Sequence, residues 1–161
     1  ISKYNKIFSF EPIYNDITYK NIIDNNLEDN VILYPYGLGN KSQNYYFPKV
    51  DFNENNNFGA SSIENRINKI ENDDLKINIE KLDDFNIDNV SLIKIDVENM
   101  EIDTLEGAYN LIEKNKPTII IESYQYEKLS SSEIFQKIIN LGYKISSIPE
   151  GHMDFIMIYE L

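Results

Sequence analysis

The segment Ser91–Ala108, SLIKIDVENMEIDTLEGA, constrains the fold of this chain more than any other. It opens with apolar residues that are rich in β-branched types, a pattern typical of a buried strand. These residues are Leu92, Ile93, Ile95 and Val97. Apolar residues then recur at helical spacing, at Ile102, Leu105, Ala108, Tyr109 and Ile112. A strand that runs through acidic residues into a helix is half of a βαβ unit. The segment therefore predicts an α/β fold, with a mostly parallel sheet flanked by helices.

The same alternation of short apolar runs and helical patterns extends along the chain and predicts one domain, residues 1–161. A helix is predicted after Pro12, with Asn15 or Asp16 as its N-cap. Another is predicted from Ser130–Ser132 onwards, with Gly142 just past its end. Strands are predicted at residues 6–10, 31–36, 91–97, 117–122, 143–148 and 154–160, with smaller ones at 43–47 and 76–82.

The charge of the chain limits its partners. Its 161 residues include 15 basic and 27 acidic side chains, a net charge of −12. Such a surface repels phosphate backbones and anionic lipids, so we expect neither nucleic acid nor a membrane surface as a partner. The absence of cysteine excludes disulfides and cysteine-ligated metals. The sequence shows neither an apolar run of transmembrane length nor a signal peptide before the first strand, and we expect a cytoplasmic location.

Acidic residues follow three of the predicted strands: Glu11, then Asp96 with Glu98, and then Glu122. Ligands of open α/β sheets bind beyond the carboxyl ends of the strands, so we expect these four side chains to face one cleft. Acidic residues also favour helix starts through the helix dipole, and that simpler explanation stays open for Glu98 and Glu122. Asp96 differs, because it lies inside an apolar run, where an unpaired charge is costly.

The central segment also carries a family resemblance. Residues 93–108, IKIDVENMEIDTLEGA, resemble the signature of the FkbM-type methyltransferases, I-K-x-D-V-E-G-x-E-x-x-x-L-x-G-A. The residues that match are Lys94, Asp96, Val97, Glu98, Glu101, Leu105, Gly107 and Ala108. The chain departs from the signature at Asn99, where the family has glycine. Asn is the best non-glycine residue for a positive φ angle and a good helix N-cap.

The resemblance implies a Rossmann-like sheet with an antiparallel C-terminal pair, and O-methylation of a hydroxyl on a sugar, glycan or secondary metabolite. S-adenosylmethionine would be the methyl donor. The expected cofactor-binding residues are Glu11, which would bind the ribose, Gly37 and Asp96. The expected catalytic residues are Asp96, Glu98 and His152, the single histidine of the chain. Ser61 and Ser62 are expected on the substrate side, and no metal ligand is expected.

One part of the family pattern is missing. The family begins with a strand and a glycine-rich turn of the type D-x-G-A-N-x-G, which would lie upstream of Ile1, so we expect this chain to be a segment of a longer product. Such a turn lets the backbone approach the cofactor closely. Its absence keeps a rival open, a methyltransferase-like relic or interaction module without catalysis. A second rival is a carboxylate site for a hard cation, built from Asp96, Glu98 and Glu122.

Overall fold

The computed structural model describes residues 6–47, 75–147 and 154–160 of the chain. Helices follow β1, β6 and β7, as the sequence predicts, whereas no helix separates β2, β3, β4 and β5 within the described residues. The strands are β1 (Ile7–Phe10), β2 (Val31–Tyr34), β3 (Gly37–Leu38), β4 (Gln43–Phe47), β5 (Leu75–Glu80), β6 (Leu92–Ile95), β7 (Thr118–Glu122), β8 (Tyr143–Ser147) and β9 (Asp154–Tyr159). The helices are α1 (Asn15–Asp24), α2 (Glu101–Gly107), α3 (Tyr109–Asn115), α4 (Tyr126–Ser130) and α5 (Glu133–Asn140), and a 3₁₀ turn spans Leu82–Phe85.

The described strands form three sheets that mix parallel and antiparallel pairs. β1 pairs with β2 in parallel, with Ile7 opposite Val31. A three-stranded sheet has the order β3-β5-β4, and a four-stranded sheet has the order β6-β7-β9-β8. In the larger sheet β6 runs parallel to β7, whereas β9 runs antiparallel to both of its neighbours. The predicted α/β fold with an antiparallel C-terminal strand is therefore confirmed. Within the described ranges, no helix has the length and apolar character needed to span a membrane.

The main core lies on one face of the four-stranded sheet. Side chains from β6, β7 and β9 meet those of α2, α3 and α5 there. The most deeply buried are Leu105, Ile112, Ile119, Ile121, Ile138 and Met157. Each stabilises the fold by roughly 1.5–3 kcal/mol relative to an exposed side chain. This core fixes the positions of β6, which Asp96 follows directly, and of β7, which ends at Glu122.

Aromatic contacts hold the two-stranded sheet in place. The ring of Phe10 on β1 stacks on Tyr34 of β2, with ring centroids 5.0 Å apart. The ring of Phe85, in the 3₁₀ turn, packs edge-on against both, at 4.9 Å from each centroid. These three rings form an aromatic cluster that joins β1 and β2 to the rest of the protein.

Two of the predicted helix boundaries are wrong. Helix α1 begins at Asn15, so neither Asn15 nor Asp16 is its N-cap; Tyr14 is, and its side chain makes no capping bond. The single helix predicted from Ile102 to Ile112 is divided at Ala108. Helix α3 restarts there because both carboxylate oxygens of Asp83 accept hydrogen bonds from its first N–H groups. The boundaries of α5 are as predicted. Ser132 is its N-cap, accepting the N–H of Phe135, and Gly142 follows with a φ of +106°.

Candidate functional site

An open groove separates β1 from β6. Its volume is about 560 Å³. One wall is formed by β1 and the residue after it, and includes Phe8, Phe10 and Glu11. The other is formed by β6 and the turn after it, and includes Asp96 and Glu98. Within the described residues β1 pairs only with β2, and β6 pairs only with β7. Each strand therefore turns one row of backbone N–H and C=O groups towards the groove.

Glu11 is oriented by the chain that follows it. Its Oε1 accepts hydrogen bonds from the backbone N–H groups of Ile13 and Tyr14, both at 2.9 Å. Its own N–H continues the ladder to Tyr34, so the residue sits at the very end of β1. The second carboxylate oxygen accepts no hydrogen bond from the described part of the chain. It is available to a hydroxyl group in the groove.

Gly37 lies in the wall of the same groove, where β3 pairs with β5. A Cβ atom at this position would lie 2.4 Å from the Cδ1 of Ile79 and 3.5 Å from the Cγ of Pro12. Ile79 is 1% exposed, so its side chain has little room to move away. The glycine therefore allows Ile79 and Pro12 to close the wall beside Glu11.

A tight turn follows Asp96. Glu98 and Asn99 have φ angles of +45° and +76°, which few residues other than glycine adopt. The N–H of Asn99 donates to Oε1 of Glu101, 2.9 Å away. Glu101 is itself buried, and burial raises its pKa. The predicted positive φ at Asn99 is thus confirmed, whereas its predicted role as N-cap is wrong, because Met100 occupies that position.

Lys94 links the ends of β6 and β7. Its Nζ lies 2.8 Å from Oδ2 of Asp96 and 3.7 Å from Oε2 of Glu122. The hydrogen bond to Asp96 is the main reason that the pKa of Lys94 is raised. Lys94 was not among the site residues predicted from the sequence. Residues two positions apart in an extended chain lie on the same face, so the spacing of Lys94 and Asp96 could have indicated their contact.

Glu98, which lines the groove, has a raised pKa, as Glu101 has. Burial raises its pKa above the ordinary value, and the negative charges of Asp96 and Glu122 raise it further. Glu98 therefore retains a proton more readily than an isolated glutamate does, which suits a group that exchanges protons with a ligand.

The structure brings together four of the residues selected from the sequence. Glu11, Gly37, Asp96 and Glu98 line one groove. Glu122 was predicted to face the same cleft but does not line the groove. It forms an ion pair with Lys94, which does line it. The other candidates, Ser61, Ser62 and His152, lie outside the described residues. Among the residues that the structure describes, no three His, Asp or Glu side chains lie close enough together to hold a metal ion.

Two comparisons relate this chain to known proteins. The model of the methyltransferase FkbM domain matches residues 2–145 of the chain. The crystal structure of methyltransferase FkbM from Methylobacillus flagellatus KT superposes with a TM-score of 0.60 at 18% sequence identity. The match covers 96% of this chain and 36% of that chain, so this chain spans about a third of the length of the solved protein. At this identity the likeness concerns the fold alone. No sequence among curated proteins matches the chain.

Proposed function

The chain belongs to the FkbM methyltransferase family, and on this premise we propose that it takes part in methyl transfer from S-adenosylmethionine to a hydroxyl group. The acceptor would be a sugar, a glycan or a secondary metabolite. The observation that carries the proposal is the groove between β1 and β6, which gathers Glu11, Gly37, Asp96 and Glu98. Glu11 follows β1, Asp96 and Glu98 follow β6, and Gly37 belongs to β3, so three sheets contribute to the groove. A ligand site beyond the carboxyl ends of β1 and β6 is expected in an α/β fold.

The residues of the groove fit this cofactor. Glu11 is held by its own turn and keeps one carboxylate oxygen for the ribose hydroxyls. The apolar side chains of Phe8, Phe10 and Ile93 give the groove a surface that an adenine ring can pack against. Bound S-adenosylmethionine would supply a methyl group attached to a positively charged sulfur. Carboxylates nearby stabilise such a cation electrostatically.

Glu98 is the proposed proton acceptor. Methyl transfer to a hydroxyl oxygen requires that the hydroxyl proton be removed, and a carboxylate with a raised pKa holds that proton well. Lys94 offsets part of the charge of Asp96 and Glu122. Without this lysine, three carboxylates would repel one another at the same strand ends, so Lys94 keeps them together.

We further propose that an additional strand completes the cofactor site. The backbone groups that β1 and β6 turn towards the groove are suited to a strand between them. The family resemblance implies such a strand, followed by a glycine-rich turn. On this proposal the 161-residue chain holds only part of the site and binds S-adenosylmethionine weakly.

Calorimetric titration tests the proposed function. S-adenosylmethionine is titrated into the 161-residue chain and into a longer version that carries an upstream apolar strand and glycine-rich turn. We expect the longer version to bind at least about tenfold more tightly. Glu11→Gln in the longer version should remove most of this gain, whereas Glu28→Gln, at an exposed position outside the groove, should not. Tight binding by the 161-residue chain alone would place the cofactor elsewhere. No binding by either version would favour the non-catalytic module.

A further inference from the structure

The turn at Glu98 and Asn99 needs an explanation beyond its own sequence. Both residues adopt positive φ angles, +45° and +76°. Neither is glycine, and a conformation of this kind persists only where its surroundings hold it. The turn separates Asp96 from helix α2, so its geometry decides where the carboxylates of Asp96 and Glu98 point.

Asn99 is held from two sides. Within the turn, its N–H donates to Oε1 of Glu101 at 2.9 Å. From outside the turn, the Nε2 of Gln125 donates to its Oδ1, also at 2.9 Å. The second bond joins two loops, one after β6 and one after β7.

Gln125 is well placed to hold the turn, because its own backbone is fixed. Its N–H donates to Oγ of Ser123 at 3.2 Å, and its carbonyl oxygen accepts the N–H of Leu129 at 2.9 Å. Ser123 is 4% exposed and Leu129 is 1% exposed, so both anchors belong to the protein interior. The side chain of Gln125 thus connects a buried frame to Asn99.

We propose that Gln125 is a positioning residue, whose hydrogen bond to Asn99 holds the Glu98–Asn99 turn and so directs Asp96 and Glu98 towards the groove. Glycine at position 99 would adopt the positive φ without help. In this chain the hydrogen bond from Gln125 stabilises the positive φ of Asn99, a conformation that glycine adopts without such a bond. This proposal rests on the proposed function, because it explains how the proposed proton acceptor Glu98 is oriented. The hydrogen bond itself belongs to the protein without cofactor.

The protonation of Glu98 reports this geometry. The charged groups that raise the pKa of Glu98 are Asp96, on the preceding strand end, Glu122, on β7, and Glu101, on α2. Lys94 is bonded to two of them. When the turn loosens, Glu98 moves away from these carboxylates and into water, and its acid dissociation constant rises towards that of a free glutamate.

The experiment is a carbon-13 NMR titration of Glu98 in the whole 161-residue chain, without cofactor. Gln125→Met keeps the length of the side chain but removes the donor. We expect it to raise the acid dissociation constant of Glu98 by about twofold or more, which is about 0.3 of a pH unit. Gln136→Met is the matched control. Gln136 donates to the carbonyl oxygen of Ser130 at 2.7 Å, away from the turn, and its loss should leave Glu98 unchanged.

A double-mutant cycle with Asn99→Gly tests the route. Asn99→Gly removes the acceptor of the Gln125 bond but supplies a residue that adopts the positive φ without that bond, so Glu98 should titrate almost as in the unchanged protein. Adding Gln125→Met to Asn99→Gly should then change nothing further. Additive changes, or an unchanged Glu98 in Gln125→Met, would overturn the proposal. Failure of S-adenosylmethionine to bind the longer version would instead overturn the proposed function and leave this cycle intact.

Discussion

A Cβ atom added to Gly107 would lie 1.9 Å from the carbonyl oxygen of Gly39. Helix α2 therefore touches the chain after β3 through backbone atoms, and Thr104 adds a hydrogen bond from its Oγ1 to the carbonyl oxygen of Leu38. The glycine of the central motif is needed for packing, because only a residue without a side chain permits this approach.

Gly107→Ala should destabilise the protein by about 2–3 kcal/mol. The added methyl group meets backbone, which cannot rotate away as a side chain would, and overpacking of this kind forces the helix to shift. Urea unfolding monitored by circular dichroism measures the loss. Glu106→Ala, at the adjacent exposed position of α2, removes an exposed hydrogen bond from the Nδ2 of Asn40 and should change the free energy of unfolding by no more than about 1 kcal/mol. Equal effects of the two variants would contradict the close approach.

Tyr143→Phe should cost about 1–2 kcal/mol at neutral pH. The Tyr143 hydroxyl is buried and donates to the carbonyl oxygen of Pro117 at 2.8 Å, so phenylalanine leaves that oxygen without a partner. Tyr124→Phe, at a side chain that is 59% exposed, is the matched control and should be nearly neutral. Chemical unfolding of both variants distinguishes a buried hydrogen bond from a general effect of removing a hydroxyl group.

The same tyrosine predicts a loss of stability in alkali. Burial raises the pKa of Tyr143 well above its ordinary value of 10.0. The unfolded chain therefore releases this proton at a lower pH than the folded protein does. The contribution of Tyr143 to stability is complete below about pH 10 and is lost as the pH rises further. Between pH 10 and 11.5 the free energy of unfolding should fall less steeply for Tyr143→Phe than for the unchanged protein. Parallel curves would contradict the prediction.

Asp83→Ala should destabilise helix α3 and cost about 1–2 kcal/mol. Asp83 accepts hydrogen bonds from the N–H groups of Asn110 and Leu111 and from the side chain of Asn110. Without it, the first N–H groups of the helix lose their acceptors. Asp84→Ala removes a neighbouring aspartate whose partner is the exposed Lys81, and should cost no more than about 0.5 kcal/mol. Thermal unfolding gives the comparison, and a larger effect at Asp84 would show that the cap is misplaced.

Glu98→Gln should stabilise the protein slightly at neutral pH. Burial and the charges of Asp96 and Glu122 raise the pKa of Glu98 above 4.5 in the folded protein. The folded state thus holds this proton more tightly than the unfolded state, and the contribution of Glu98 is largest below about pH 4.5 and declines as the pH rises through the raised pKa. The variant should gain up to about 0.5 kcal/mol at pH 7 and nothing at pH 4, since water screens the carboxylate. A difference that is independent of pH would contradict this origin.

Local signals in the sequence predicted the elements that depend on local chemistry. Helix α5 begins at Ser132 and ends before Gly142, because one side chain caps its first turn and one glycine adopts the positive φ after its last. Strand β6 is shorter than predicted, ending at Ile95 rather than residue 97. The turn at Glu98 and Asn99 draws the chain out of the strand at that point, and a run of apolar residues does not record such a turn.

Contacts between distant residues were beyond the reach of sequence patterns. The break at Ala108 depends on Asp83, and the turn at Asn99 depends on Gln125, and both partners lie more than twenty residues away in the chain. The pairing of Lys94 with Glu122 likewise requires that β6 and β7 be neighbours. The roles proposed for Ser61, Ser62 and His152 stay predictions, since these residues lie outside the described ranges.

The two walls of the groove differ in local stability. The wall formed by β1 depends on the aromatic cluster of Phe10, Tyr34 and Phe85. A two-stranded sheet has marginal stability in isolation, so β1 and β2 persist through these ring contacts and through α1. The wall that carries Asp96 belongs to the four-stranded sheet and its core. The wall that carries Glu11 consequently opens at a lower free energy, as a separate unit, than global unfolding requires. A ligand that contacts both walls binds only molecules in which the β1 wall is in place. Phe85 does not line the groove. A substitution there should still weaken the apparent affinity, in proportion to the loss of molecules with both walls in place.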